Sequence, residues 1–431
     1  MNELKDITVR INDWGLFTFL AERFVGQAKK VEYFVQWRGP FPTSDRRRVG
    51  EGIPDVKRLD SFWDGIEPMG YARQPRLFVY PDFYLADEQK LLRSLGYPVF
   101  GCGDSEKLER DREFFKDTLD ELGLPNVGGE YCRGTEVLRE YLESLPKNAK
   151  LVVKTSDFRG DFETTPIDGE NRTIETFLKS LPELAVKLDV NDTLTKFICE
   201  PWIESDCEPG WSEYNCNGVP SDYGMLGYEK KGDALLGRMF KSVEAPEPIR
   251  KVNEKIYTVL KKLGCQGFYV MEYRITKRGV CCPIDICMRA GSPDVEVLSM
   301  VDKDFPLNVL RVANSQPAKM KLQGLYTGIL KFHSGELKTG HDLEIRFPRE
   351  IAPYVKIRNW QRKNGRDYSI SQDAGDNAGA VVAWGDSMNQ VEDLCMKRIE
   401  QIHCEGMEYT ENAFEDIEKS ISAGRKYGID F

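Results

Sequence analysis

Met271–Val297 reads MEYRITKRGVCCPIDICMRAGSPDVEV, and it sets two single acids inside consecutive apolar runs. Glu272 follows Gly267-Phe-Tyr-Val-Met271, and Asp285 stands within Cys282-Pro-Ile-Asp-Ile-Cys287. Runs of this length and composition predict strands. The turn at Lys277-Arg-Gly279 is short enough for a hairpin, so antiparallel pairing brings the two carboxyl groups side by side across the ladder. Two neighbouring buried carboxylates repel and raise one another's pKa unless a hard cation such as Mg2+ lies between them. A metal pair of Glu272 and Asp285 is the simpler expectation. Arg289 and the tight turn Ala290-Gly-Ser-Pro293 follow at once, offering a cation and backbone donors to an anion beside that metal. The alternative is a structural hairpin whose acids pair with Arg274, on the same strand face, or with Arg289.

The order acid-x-x-x-Arg-x-Gly-x-Pro-acid is carried by Asp285, Arg289, Gly291, Pro293 and Asp294. It resembles the end of the nucleotide site in ATP-grasp ligases, most closely the phosphoribosylamine–glycine ligase branch. The usual pattern there is Glu-x-Asn-x-Arg-x-Gly-x-Pro-Glu, so Cys287 stands where a metal-binding Asn is expected. Mg2+ prefers oxygen to thiolate. Cys287 is therefore read as a small packing residue near the site, with Glu272 supplying part of the metal's shell.

Composition narrows the class. With 431 residues and 41% hydrophobic content, the chain can build large cores in two or three domains. No apolar run approaches the roughly 20 residues needed to span a bilayer, and the N-terminus lacks the basic-then-apolar order of a secretory signal. The 11 cysteines show no CxxC pair, and their odd number cannot be fully paired, which fits a reducing cytoplasm. Cys281, Cys282 and Cys287 lack a fourth ligand at finger-like spacing, which argues against zinc. A net charge of -10 argues against wide contact with nucleic acid. Small-molecule partners, and no membrane, are expected.

Residues 1–104 alternate predicted strands at Ile7–Ile11, Val31–Trp37, Leu77–Tyr80 and Tyr97–Phe100 with helices at Trp14–Phe24 and Asp87–Leu95. Such alternation indicates a parallel sheet with covering helices, and it resembles the pre-ATP-grasp domain. Arg46, Arg47 and Arg48, in a turn-rich loop, are either anion contacts or a solvated surface turn. Residues 105–319 open with a helix over Leu108–Leu122, capped at Asp104-Ser105, on which Arg112 and Lys116 share a face. The strand Lys150–Lys154 then delivers Lys154 to the loop Thr155–Glu163. A fixed charge followed by backbone amides and Arg159 is what phosphate binding needs. The resemblance puts Arg112 in the place of a phosphate-binding Lys, although only Gly160 remains of a usually richer glycine loop.

After the helix Ile174–Leu188, the strand Thr195–Glu204 is broken by Pro201. The resemblance makes Glu200, Trp202 and Ile203 the adenine hinge and gives the ribose to Glu208 or Glu213, with Glu208 preferred. Residues 320–431, with strands at Tyr326–Phe332 and Gly379–Trp384 and helices at Met388–Cys404 and Asn412–Tyr427, resemble the C-terminal domain that closes the ligand site. The expected fold is thus α/β: an ATP-grasp fold with an N-terminal parallel-sheet domain and a small α+β C-terminal domain.

What the resemblance implies is carboxylate activation by ATP with Mg2+, or Mn2+ in its place. A carboxylate attacks the γ-phosphate to give an acyl phosphate, and an amine displaces phosphate to leave an amide and ADP. Arg289 and Lys154 then act in catalysis. Arg112, Lys154, Arg159, Glu200, Trp202, Ile203 and Glu208 bind the nucleotide, and Glu272 and Asp285 hold the metal. Such chemistry needs positioning and charge neutralisation more than a protein nucleophile, which agrees with the lack of a Ser-His-Asp or Cys-His pattern. A carboxylase or kinase of the same fold, or an ATP-binding sensor without turnover, are the alternatives.

Overall fold

In the computed structural model, which describes residues 4–35, 48–66, 76–156, 164–170, 172–371 and 375–431, the decisive stretch is an antiparallel hairpin of Gln266–Thr276 and Cys281–Cys287. Gly279 turns the chain at φ +78°, in the left-handed region that a Cβ disfavours. Alternate residues take opposite faces of a strand. Tyr269, Met271 and Tyr273 pack with Val252, Ile256 and Leu260 of the helix Glu247–Leu263. Val270 and Glu272, of the other parity, line a cavity.

The hairpin belongs to an eleven-stranded sheet. Gln266–Thr276 pairs with Pro209–Cys216, which pairs with Tyr223–Lys230, and that with Ala234–Lys241. The sheet does not stop at the expected 319/320 boundary. Ala234–Lys241 pairs with Tyr326–Ser334, Leu236 opposite Gly328, and that strand pairs with Asn377–Gly385. Leu330 and Phe332 share one apolar cluster with Leu236 and Tyr228. Residues after 320 thus contribute strands to the central sheet and its core, and Leu343–Ile345, Trp360–Lys363 and Arg366–Ser369 add a three-stranded sheet of their own.

The N-terminal sheet is five-stranded and parallel, in the order Val56–Arg58, Lys30–Val35, Thr8–Asp13, Arg76–Val79, Val99–Phe100. Both its faces are covered, as parallel sheets require. Val9, Ile11 and Val79 pack with Phe19 and Phe24 of one helix, whereas Phe78 and Val99 pack with Leu92 of another. The helix expected from Trp14 starts only at Phe19. The Asp13 carboxylate accepts the Leu16 and Phe17 N–H groups at 3.1 and 3.0 Å and holds the chain in a turn before it.

A smaller antiparallel sheet, Glu130–Arg133, Lys196–Pro201, Leu151–Thr155 and Thr164–Ile167, forms a lobe over the cavity. Leu138 and Leu142 of one helix and Phe177 and Leu181 of another close its core. Just before the lobe, the expected helix Leu108–Leu122 is two helices, Lys107–Arg110 and Arg112–Glu121. Asp111 leaves helical geometry at φ -109°, ψ 95°, and its carboxylate accepts the Phe114 N–H at 3.2 Å. That N-cap makes Arg112 the first residue of a new helix and fixes where it points. Asp111→Ala should lower stability by about 1 kcal/mol, the usual worth of such a cap, read as a shift in the urea midpoint without a change in slope.

Candidate active site

The hairpin register pairs Glu272 directly with Asp285. Neither acid goes to the arginines offered as alternatives. Glu272 Oε2 lies 3.0 Å from Lys231 Nζ, and Asp285 Oδ1 lies 3.0 Å from Arg112 Nη1. Arg274 pairs instead with Glu208 at 2.8 Å, and Arg289 with Glu109 at 2.7 Å. The two carboxyl groups are driven apart in affinity for a proton. Burial, resisted by Lys231 and reinforced by Asp285, pushes Glu272 up to about 7. Burial also disfavours ionised Asp285, yet Arg112, Lys154 and Lys231 outweigh it and hold that carboxyl at about 2.

A buried set of cations stands behind Asp285. The ladder slips next to Glu272, where Tyr273 pairs with Pro283 and Ile284 is skipped. Such a bulge leaves one residue unpaired, and Lys154 Nζ takes the Ile284 carbonyl at 2.6 Å. Glu200 bridges two lysines, Lys154 at 3.2 Å and Lys116 at 2.9 Å. Arg112 also donates through Nε to the Thr155 carbonyl at 3.3 Å. Glu200 is 4% exposed and belongs to neither cavity wall. It stands instead between two buried lysines, whose ammonium groups would be costly to bury without an anion. Lys154 and Arg112 likewise lie behind the cavity wall rather than on it.

The cavity over the acid pair has a volume of about 920 Å³ and is lined by Glu272, Asp285, Cys287, Arg289 and Asp294, with Arg172 and Lys331 from other elements. A second cavity, of about 420 Å³, is lined by Trp202, Ile203, Glu208, Tyr228 and Arg274. Lys231 and Glu229 line both. Pro201 ends its strand, so Trp202 and Ile203 leave the ladder and reach this second wall. Arg274 lies 4.8 Å from the Trp202 ring centre and donates to the Ile203 carbonyl at 3.3 Å. Glu208 and Glu213 have different fates. Glu208 lines the second cavity, while Glu213 is fully buried, bonded by Tyr257 and Ser242, and pushed up to about 7 by burial.

Arg289 is held by a residue the sequence did not single out. Glu109 accepts the Met288 N–H and Arg289 Nε, each at 2.7 Å. Lys231 was missed too, and its doubled lysine in the turn Tyr228-Glu-Lys-Lys-Gly-Asp233 was the only available signal. Asp294, raised to about 6 by burial, accepts from the Ser212 hydroxyl at 2.6 Å. Arg48 pairs with Asp342. Arg46, Arg47, Arg159 and Gly160 lie outside the described residues.

A hard divalent cation fits this donor set. Mg2+ keeps several waters and takes one or two carboxylates plus phosphate oxygens, and Glu272 and Asp285 supply that pair. Among the described residues no three His, Cys, Asp or Glu side chains gather at one point, which suits an ion that keeps several waters. Burial and then Glu109 keep the Cys287 thiol protonated far above its usual range, and a neutral thiol is no ligand for such an ion.

No family model matches the chain. In sequence, 203 residues, 47% of the chain, are 23% identical to the carbamoyl phosphate synthase large chain of Sulfolobus acidocaldarius, and the match spans 18% of that relative's length. In structure, phosphoribosylamine–glycine ligase from Thermotoga maritima has a TM-score of 0.68 at 15% identity, covering 94% of this chain and 99% of that one. The biotin carboxylase domain of the Hydrogenobacter thermophilus 2-oxoglutarate carboxylase, in complex with MgADP, ADP and bicarbonate, has a TM-score of 0.62 at 11% identity, covering 96% of this chain and 98% of that one. The fold is the ATP-grasp fold, as the residue pattern implied.

The raised Glu272 carboxyl has a consequence for stability. Its pKa climbs from 4.5 to about 7 on folding, so the folded state holds the proton more tightly and this group costs stability as pH rises through that window. Glu272→Gln has no proton to lose. In metal-free buffer, the difference in urea midpoint between variant and parent should therefore move in the variant's favour from pH 4.5 to 7, and a difference constant with pH would refute the coupling.

Proposed function

We propose that this chain is an ATP-dependent carboxylate–amine ligase working through an acyl phosphate. The observation that carries the reading is an acid pair on the wall of the larger cavity, beside Lys231 and Glu229 that line both cavities, with Arg112 and Lys154 behind it. The nucleoside occupies the smaller cavity against Trp202 and Ile203, with Glu208 on the ribose, and the phosphates run towards Glu272 and Asp285. Mg2+ or Mn2+ on those acids neutralises phosphate charge when bound. Lys154 and Arg112 add a fixed positive field behind Asp285. Arg289, oriented by Glu109, and the amides of the turn after it receive the carboxylate and then the acyl phosphate.

The cavity of about 920 Å³ has room for a small amino-acid-like carboxylate and an amine acceptor beside the terminal phosphate. Support for an amide product comes from the likeness to the glycine ligase. The likeness to the biotin carboxylase domain keeps carboxylation as the reaction to be told apart. We place the protein in the cytoplasm, where its 11 cysteines, none in a disulfide, remain reduced.

The test is ADP release with pooled carboxylates and amines, followed by mass spectrometry of the product. An amide mass supports the proposal, whereas a carboxylated or phosphorylated product replaces it. Asp285→Asn should lower turnover by roughly 100-fold or more, the scale for losing a preorganised electrostatic group, with the fold intact by circular dichroism. Full activity of that folded variant would remove Asp285 from the site. Cys287→Ser should keep the parent's dependence on Mg2+ with a modest loss of rate, measured across Mg2+, Mn2+ and Cd2+. A large fall in apparent Mg2+ affinity would make the thiol a ligand.

A further inference from the structure

Lys231 sits at the junction of the two cavities and also lines a small recess, about 40 Å³, that it shares with Glu208 and Glu272. Its ammonium is 3.0 Å from Glu272 and 3.6 Å from Glu208, one carboxylate from the wall of each cavity. The two acids of the hairpin are therefore neutralised by very different groups. Asp285 has Arg112, which is 5% exposed and tied by a second hydrogen bond to Thr155. Glu272 has, among the described residues, Lys231 alone as its ion-pair partner, and that side chain is 64% exposed. It stands on the short turn between Tyr223–Lys230 and Ala234–Lys241.

A lysine is a compact point charge on a flexible four-carbon stem, unlike the rigid fork of a buried arginine. Such a group holds a carboxylate while no metal is there, and it can leave without unpacking the core. We propose that Lys231 is the resident counter-ion of Glu272, yields that carboxylate to a divalent cation, and turns to the nucleotide phosphates that cross from the smaller cavity to the larger. The inference rests on the nucleotide and metal placement proposed above. It has an energetic consequence of its own. Metal binding alone must break an ion pair, whereas metal binding with a nucleotide gives the released ammonium a phosphate, so each ligand favours the other.

The test needs no substrate. Mn2+ binding is followed by electron paramagnetic resonance without nucleotide, and ADP binding by calorimetry in the presence of a chelator, for the parent, Lys231→Met, Lys231→Arg and Glu272→Gln. Lys231→Met should bind Mn2+ about tenfold more tightly than the parent and metal-free ADP about tenfold more weakly, the worth of one charge-assisted contact. Lys231→Arg, which keeps the charge, should resemble the parent in both, and Glu272→Gln should lose Mn2+. If Lys231→Met binds Mn2+ no more tightly while Glu272→Gln still loses it, Lys231 is not the counter-ion and the acid pair stands. Unchanged ADP affinity in Lys231→Met overturns the transfer to phosphate. If Glu272→Gln binds Mn2+ as the parent does, the acid pair itself is wrong and the inference falls with it.

Discussion

Glu272 and Asp285 face each other across one rung of a ladder, in an interior where two ionised carboxylates repel far more strongly than in water. Much of the surrounding chemistry answers that repulsion. Asp285 is pinned in its charged form by Arg112, with Lys154 close behind, while burial leaves Glu272 near the point of protonation and paired with the exposed Lys231. The cations themselves are buried and need anions, which is why Glu200 lies between Lys116 and Lys154. The charges form one connected system, so a change in any of them alters the field at the acid pair.

The fold keeps these groups together by making every strand serve two purposes. One parity of Gln266–Thr276 is welded to the helix Glu247–Leu263, and the other is left to face the cavity. The bulge beside Glu272 frees a carbonyl, and Lys154, arriving from the smaller lobe, takes it. Glu200 of the same lobe pairs with Lys116 on the helix that also carries Arg112, so the lobe, that helix and the central sheet meet through charged side chains. On the proposed function, phosphates entering between these parts would meet charges already fixed in place, which lowers the reorganisation needed on binding. The C-terminal strands add Lys331, from within the same sheet, to the cavity wall.

The hairpin and its turn were legible in the sequence because each is local, set by an apolar alternation and a glycine at the turn. The strand break at Pro201 was legible for the same reason, since proline withdraws a ladder donor wherever it stands. The bulge that skips Ile284 is what brings Asp285, and not Ile284, directly opposite Glu272. Where local rules competed, the reading slipped. Leu108–Leu122 has a continuous amphipathic pattern, but the capping carboxylate of Asp111 divides it, and Asp13 delays the helix expected at Trp14.

The partners of the charged groups were decided by tertiary structure alone. Arg112 is 173 residues from Asp285, Lys154 is 130 from Ile284, and Lys231 is 41 from Glu272. No periodicity relates such positions, and any arginine near an acid in sequence competes equally on paper, as Arg274 did for Glu272. Three-dimensional packing gives Arg274 to Glu208 and the Trp202 ring, and buries Glu200 where a base-reading group was expected. The sequence determined the strands and the turn, because backbone geometry repeats over a few residues, while the bulge at Ile284 that sets Asp285 opposite Glu272 belongs to the tertiary structure. Which cation answers which acid depended on how the sheets and helices meet, because Coulomb attraction follows distance in space and not distance along the chain.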